Sequence, residues 1–142
     1  MSYIIHAAPP EHLGWLVERV HYAPTAMLKA IEAIDQGGQI VGMFGFDNWM
    51  PNSCEMHLAI EKPLAIRLLA PPSFWYAFEV MDREYILALA PASRSRVMEW
   101  GARIGFKEMH RLKDGCAKGD DLIYAVLHRD NCTWFKSLRK AA

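Results

Sequence analysis

The chain has 142 residues, of which 52% are hydrophobic and 23% are charged, and 16 Lys and Arg balance 16 Asp and Glu. This length suits one domain with a single core, and it predicts one functional site rather than a cleft between two domains. A formal charge of zero gives no electrostatic signature for nucleic acid or for an anionic membrane. We therefore expect neither of these partners, although a local basic patch is left open.

The cysteines and the N-terminal stretch predict the compartment. Cys54, Cys116 and Cys132 form no CxxC pair, and their odd number argues against a closed set of disulfides. Reduced thiols are typical of the cytosol. The N-terminal stretch "MSYIIHAAPPEHLGW" has no basic leader, and no segment approaches the ~18 apolar residues of a spanning helix. We expect a cytoplasmic protein without a signal peptide or membrane span.

The first third of the chain predicts a strand, a helix and a hairpin. Residues 3–6 are short and β-branched, which favours a strand, and residues 11–20 predict a helix. Its apolar residues recur at helical spacing: Leu13, Leu16, Val17 and Val20. Residues 30–35 and 39–47 are predicted to pair as a hairpin that turns on Gly37 and Gly38, although the composition of the first half also suits a helix.

The middle of the chain predicts two strands separated by a broken helix. Residues 53–60 alternate cleanly between apolar and polar side chains, as a half-buried strand does. Within 62–81 we expect two helical pieces, because Pro71 and Pro72 disfavour an undistorted helix, and Ser73 is the expected cap of the second piece. Residues 84–91 are apolar and predict another strand.

The segment "ASRSRVMEWGARIGF" at 92–106 predicts a short helix with definite ends. Ser93 is the expected N-cap, and Gly105 suits the left-handed residue that ends a helix. A closing hairpin and a basic tail follow, with strands over 106–113 and 121–128 and the tail over 129–142.

This order of elements resembles the fold of the GNAT superfamily, the Gcn5-related N-acetyltransferases. The specific signal is "ALAPASRSRVMEWGARIGFKEMHRLKDG" followed by "DDLIYAV", which is similar to that superfamily's fifth strand, fourth helix and closing hairpin. The segment "YAFEVMDREYI" resembles the preceding helix, and "QIVGMFGFD" is a weaker match upstream. The chain is most similar in character to GNAT-like proteins of phage and prophage genomes, through "DNWMPNSCEMHLAI" and "RDNCTW".

The resemblance implies an α/β (α+β) architecture in one GNAT-like domain over 1–142. It implies a mixed, mostly antiparallel sheet of about six or seven strands with helices on both faces. Within it, residues 55–60 and 85–90 would be parallel neighbours. The short helix over 92–106 would pack beside bound acyl-CoA.

The resemblance also implies acetyl-CoA as co-substrate, with the pantetheine arm along Leu58, Ala59 and Ile60. Acetyltransferases of this fold hold the pyrophosphate on backbone amides of an Arg/Gln-x-x-Gly-x-Gly/Ala loop at a helix N-terminus. Here that position reads "EKPLAI", which has no glycine, and Pro63 has no amide hydrogen. Ser93 replaces the usual Asn, and Gly101 occupies the position of the general-acid Tyr.

Glu55 and His57 are the catalytic candidates. Acyl transfer from a thioester to an amine requires a deprotonated amine and a protonated thiolate leaving group. Glu55 and His57 lie two residues apart on one face of a predicted strand, where either could remove the proton of the amine. A salt-bridged strand rim is the alternative interpretation of this pair. For the acid, residue type alone offers four candidates: Tyr76, Tyr85, Tyr124 and Cys116.

Basic residues near the two loops that face the cofactor in this fold are candidate phosphate ligands: Arg67, Arg94 and Arg96, with Lys62 nearby. Guanidinium groups could replace the missing loop amides. Cations in a first helical turn oppose the helix dipole by a few tenths of a kcal/mol or more, which favours an anion near Arg94 and Arg96. Ordinary solvated charge is the equal alternative.

The sequence predicts no metal site. Cys54 and His57 are three residues apart, which on a strand points their side chains to opposite faces. Two functions from different classes therefore stay open. One is an acyl-CoA-dependent N-acetyltransferase acting on an amine of a small molecule or of a protein. The other is a catalytically inactive GNAT-fold interaction module, phage-related and with a homodimer left open.

Overall fold

The computed structural model describes residues 2–134. It contains seven strands, which are β1 (Ile4–Ala7), β2 (Lys29–Ile34), β3 (Ile40–Asp47), β4 (Ser53–Ile60), β5 (Tyr85–Pro91), β6 (Lys107–Ala117) and β7 (Asp120–His128). The α-helices are α1 (Leu13–Val20), α2 (Leu64–Trp75) and α3 (Ser95–Ile104). Short 3₁₀ turns lie at Pro10–His12 and Arg129–Asn131.

The strands form one mixed sheet in the order β1-β2-β3-β4-β5-β7-β6. Neighbours are antiparallel except β4 and β5, which run parallel with Ser53 opposite Tyr85 and Glu55 opposite Leu87. This confirms the predicted mixed, mostly antiparallel sheet of the GNAT fold. It also confirms the predicted parallel pairing of the strands at 53–60 and 84–91.

Two glycines in β3 allow helices to approach the sheet on opposite faces. A Cβ at Gly42 would lie 2.9 Å from the Cβ of Ala65 in α2, and one at Gly45 would lie 2.5 Å from a methyl of Leu16 in α1. Successive strand residues alternate between faces, so these positions face opposite sides. α1 therefore covers one face and α2 the other, as predicted.

An aromatic cluster holds α2 and α3 on the same face. Phe44 in β3 meets Phe74 of α2 edge to face at 6.2 Å and Trp100 of α3 at 5.9 Å. Phe74 and Trp100 stack at 6.4 Å. Aromatic pairs in such geometries add about 0.5 to 1.5 kcal/mol each beyond the area they bury. This cluster therefore fixes the position of α3 relative to the sheet.

The predicted break at Pro71 and Pro72 is wrong. α2 runs through both prolines and continues as a π-helical turn over Tyr76–Val80, where the Met81 amide donates to the Tyr76 carbonyl at 2.9 Å. The fully buried Phe74 and Phe78 anchor this segment in the core. Their burial offsets the hydrogen bonds that the prolines cannot donate, and the backbone adjusts by widening its last turn.

Two predicted caps are also wrong. Ser73 lies buried inside α2 rather than at a helix start. Arg94, not Ser93, occupies the N-cap of α3, and the Ser93 hydroxyl donates to Asp120 Oδ2 at 2.7 Å. A carboxylate that is distant in sequence thus takes the hydroxyl that a local cap would have used. The predicted stop at Gly105 is confirmed, since its φ is 126°.

The C-terminal hairpin is longer than predicted, with β6 and β7 separated by a turn at Lys118 and Gly119. Of the predicted basic tail, Arg129–Asn131 forms a 3₁₀ turn, and Cys132 is buried in the core. The rest of the tail, beyond Trp134, lies outside the described residues.

Candidate functional site

β4 and β5 separate beyond their paired ends, and a cleft opens between them. The paired residues are 53–55 and 85–87, while the later residues of both strands line the opening. A larger cleft of about 760 Å³ reaches from His21 and His57 on the α1 face to Trp100 on the α3 face. The opening therefore joins the two faces of the sheet.

A smaller cleft of about 640 Å³ continues from the larger one along β4. It brings together most of the predicted cofactor-binding residues, namely Leu58, Ala59, Ile60, Ser93, Arg94 and Arg96. Arg67 is exposed on α2 and lines neither of these two clefts. Arg19, which the sequence did not suggest, also lines the smaller cleft, and its guanidinium donates to Glu61 at 2.8 Å.

The first turn of α3 faces the smaller cleft. The Arg94 side chain makes no capping hydrogen bond, and residues 95–97 line the cleft together with Arg94. The first N–H groups of an α-helix lack intrahelical partners and favour an anion. At α2, by contrast, the Ala65 and Ile66 amides already donate to the carbonyls of Lys62 and Pro63. Among the described residues, the first-turn amides of α3 are therefore less engaged by backbone carbonyls than those of α2.

Glu55 and His57 lie together on the α1 face of β4. His57 Nε2 is 3.2 Å from Glu55 Oε1, and Asn48 donates to Glu55 Oε2 at 2.9 Å. His57 and then Asn48 lower the pKa of Glu55, although partial burial opposes them. Within residues 2–134, no hydrogen-bond partner is well aligned with His57 Nε2, which is buried. His57 itself lines the larger cleft.

Tyr22 and Asp47 hold the histidine ring in place. The Tyr22 ring stacks on His57 at 3.8 Å, and its hydroxyl donates to Asp47 Oδ2 at 3.3 Å. Burial and then the Asp47 charge raise the pKa of Tyr22, so the phenol stays protonated at neutral pH. Asp47 is itself fully buried and accepts hydrogen bonds from Thr25 and from the Asn48 amide.

We expect Asp47 to stabilise the fold in a pH-dependent way. Burial alone would raise the pKa of Asp47, but the hydrogen bonds from Thr25, Asn48 and Tyr22 outweigh burial and lower it. Its stabilisation is complete above the unfolded-state pKa of about 3.9 and is lost as the pH falls through the lower folded-state pKa. The difference in unfolding free energy between the wild type and Asp47→Asn should therefore shrink between about pH 6 and pH 3.

Urea denaturation of both proteins across that pH range measures this difference. Other acidic groups with lowered pKa values, such as Asp35, are present in both proteins and cancel. A difference that stays constant with pH would contradict the assigned role of the Asp47 charge.

Tyr22, Asp47 and Arg19 were missed as site residues because their contacts are long-range. Asp47 could have been singled out from the sequence, because it is a charged residue at the end of a long apolar strand. Of the four candidate acids, Cys116 lines the larger cleft, where burial and then Asp120 raise the pKa of its thiol. Tyr76 instead packs against Phe46 and Trp49.

Among residues 2–134, no group of three or more His, Cys, Asp or Glu side chains is arranged to hold a metal ion. Within the same residues, Cys54 and Cys116 are free thiols. No helix in the described part of the chain combines the length and apolarity needed to cross a membrane.

The fold is similar to those of solved spermidine N-acetyltransferases from Vibrio cholerae. Mutant forms of the spermidine/spermine N-acetyltransferase SpeG align with a TM-score of 0.73 and 12% identity, covering 99% of this chain and 100% of the other. The enzyme in complex with CoA and spermine aligns with a TM-score of 0.71 and 12% identity, covering 91% of this chain and 96% of the other.

A dodecameric form of the same enzyme aligns with a TM-score of 0.71 and 11% identity, covering 90% of this chain and 94% of the other. By sequence, no family profile and no curated protein matches the chain. At this identity the similarity concerns the fold, and the chain therefore has the GNAT fold found in these N-acetyltransferases.

Proposed function

We propose that the protein is an acyl-CoA-dependent N-acetyltransferase that acts on an amine. The observation that carries this proposal is the opening between β4 and β5, which connects a cleft lined by Arg94 and Arg96 with the partly buried Glu55 and His57 pair on the opposite face. An anionic co-substrate and an amine could thus approach the same point from two sides of the sheet.

The proposed reaction transfers the acetyl group directly. The neutral amine nitrogen attacks the thioester carbonyl, a C–N bond forms and the C–S bond breaks. The attacking nitrogen loses one proton as the amide forms, and the CoA thiolate takes up one proton and leaves as a thiol. His57 Nε2 has no aligned partner among residues 2–134 and is the proposed acceptor of the ammonium proton. Glu55, 3.2 Å away, would stabilise the resulting imidazolium, while the Tyr22 ring keeps the imidazole oriented.

Acetyl-CoA fits the residues on the α3 side. The apolar edge of β4 at Leu58 and Ile60 suits a pantetheine arm, and the uncapped first turn of α3 suits a phosphate. Arg94 and Arg96 would contact the phosphates in place of the glycine-loop amides that "EKPLAI" lacks. Cys116 lines the larger cleft and is a candidate donor of the leaving-group proton.

Replacing Arg94 or Arg96 with alanine is expected to weaken CoA binding by roughly tenfold or more. Charge-assisted contacts to a phosphate contribute about 1.5 to 3 kcal/mol each, and both side chains are exposed, so folding should be little affected. Calorimetric titration with CoA at low and moderate salt measures the effect, which should be larger at low salt.

Arg103→Ala is the matched control. Arg103 lies in the last turn of α3 and is exposed, so its removal changes the net charge equally without touching the first turn. Arg67→Ala tests whether the phosphates contact α2 instead, because Arg67 remains a candidate by its position there. Equal weakening by all four substitutions would point to long-range charge and contradict the cradle at α3.

The second candidate function is an inactive interaction module with the same fold. It is favoured by the N-terminus of α2, where Pro63 occupies the N-cap and the amides of Ala65 and Ile66 are already bonded. A weak phosphate cradle there would be expected of a protein that has lost its co-substrate.

Thermal-shift titration with acetyl-CoA and desulfo-CoA distinguishes the two functions. A ligand that binds the folded state raises the melting temperature, by an amount that grows with concentration. A concentration-dependent rise with both compounds supports the transferase. If the melting temperature does not rise at millimolar concentrations, the inactive interaction module is supported instead. A cytoplasmic location, a phage relationship and a homodimer remain predictions.

A further inference from the structure

We propose that the acceptor is a primary amine with an apolar or aromatic body, rather than a polyamine. The proposal rests on the proposed acetyltransferase function and concerns the surface beside Glu55 and His57. It follows from the side chains that share their face of the sheet, and from the number of carboxylates available there.

An apolar surface continues directly from the catalytic candidates. Glu55 is paired with Leu87 across the parallel β4–β5 contact, so both side chains project from the same face. Leu87 is in turn opposite Val126 on β7, and Leu89 is opposite Tyr124. We call these four residues, Leu87, Leu89, Tyr124 and Val126, the apolar shelf.

The apolar shelf borders the reactive end of the larger cleft. Leu89 and His57 both line that cleft, on the two strands that separate around it. Leu89 is 44% exposed, although it is a large apolar side chain near a partly buried histidine. Covering such a side chain with an apolar group of a ligand is favourable, because apolar surface of both partners is removed from water.

The charges on this side suit one ammonium group. Asp47 is fully buried and already accepts hydrogen bonds from Thr25, Tyr22 and the Asn48 amide. Glu55 is partly exposed, and each of its oxygens retains a lone pair beyond the contacts with His57 and Asn48. The lowered pKa of Glu55 keeps it anionic at neutral pH.

The carboxylates deeper in the larger cleft lie on the α3 side. Glu108 is paired there with Arg111 at 2.9 Å, and Glu99 is on α3 itself. A polyamine carries several ammonium groups, and each one that leaves water needs a polar partner. The apolar shelf would meet the second and third of these charges, whereas it would bury an aromatic ring favourably.

The test compares three acceptors with saturating acetyl-CoA. These are 2-phenylethylamine, ethanolamine, which has one ammonium group and a polar body, and spermidine, which has several. We expect kcat/KM for 2-phenylethylamine to exceed that for each of the others by roughly tenfold or more, as burial of a ring predicts. Product masses confirm which amine is acetylated.

Leu89→Ser tests the apolar shelf itself. We expect the ratio of kcat/KM for 2-phenylethylamine over ethanolamine to fall about fivefold, because the ring loses apolar contact. The ratio cancels any effect of the substitution on acetyl-CoA. The control is Leu112→Ser, a similarly exposed leucine on β6 opposite Leu122, which should leave the ratio unchanged.

The outcomes separate this inference from the proposed function. No binding of acetyl-CoA overturns the proposed function. Binding with preferential acetylation of spermidine or ethanolamine, or with acetylation of none of the three amines, overturns the inference alone. A dimer at assay concentration that Leu89→Ser dissociates, seen by size-exclusion chromatography with light scattering, also overturns it, because a second copy would then cover the apolar shelf.

Discussion

Replacing His57 with alanine is expected to lower kcat/KM for amine acetylation by about 100-fold to 10,000-fold, the range typical of a lost general base. The reason lies in its position, since Nε2 is buried at the opening between β4 and β5 and has no aligned partner within the described residues. Steady-state kinetics with saturating acetyl-CoA measures this loss.

Controls distinguish a lost base from a disturbed strand. Added imidazole should restore part of the activity of His57→Ala, because it can occupy the space and accept the proton. His110→Ala removes an exposed histidine from β6 and should leave kcat/KM unchanged. A His57→Ala protein that binds acetyl-CoA normally and keeps wild-type kcat/KM would remove His57 from the mechanism.

Much of the fold could be predicted because its signals are local. The alternation at 53–60, the apolar run at 84–91 and the stop at Gly105 each depend on a few neighbouring residues. The sequence predicted a strand at 39–47 and assigned no role to the two glycines inside it. The structure supplies the reason, since Gly42 and Gly45 allow helices to pack closely on opposite faces.

The incorrect predictions came from local rules that distant contacts override. Proline chemistry predicts a break at Pro71, yet the burial of Phe74 and Phe78 keeps the helix continuous. Capping preference places Ser93 at the start of α3, yet Asp120, 27 residues later, takes its hydroxyl. Sequence periodicity predicts neither the core contacts of Phe74 and Phe78 nor the hydrogen bond between Ser93 and Asp120.

In the candidate site as well, local patterns predicted some residues, and long-range contacts placed the others. Glu55 and His57 were found because alternation along one strand places them on one face. The Tyr22 ring, which stacks on His57, precedes it by 35 residues and lies just after α1. The opening between β4 and β5 depends on where their pairing ends, which no single segment encodes.

Replacing Gly105 with alanine is expected to destabilise the protein by about 3 to 5 kcal/mol, which combines backbone strain with a steric clash. Its φ of 126° is rarely adopted by residues with a side chain, and a Cβ there would lie 2.0 Å from the Asn131 carbonyl oxygen. Urea denaturation followed by circular dichroism measures the loss. Gly119→Ala is the matched control, because its φ is 86° and, apart from Gly119 and its chain neighbours, no heavy atom of residues 2–134 lies within 4 Å of the added Cβ. The strain of about 1 to 2 kcal/mol therefore acts alone. Equal losses from both substitutions would mean that the turn at Arg129–Asn131 moves away freely and contributes little to holding the end of α3.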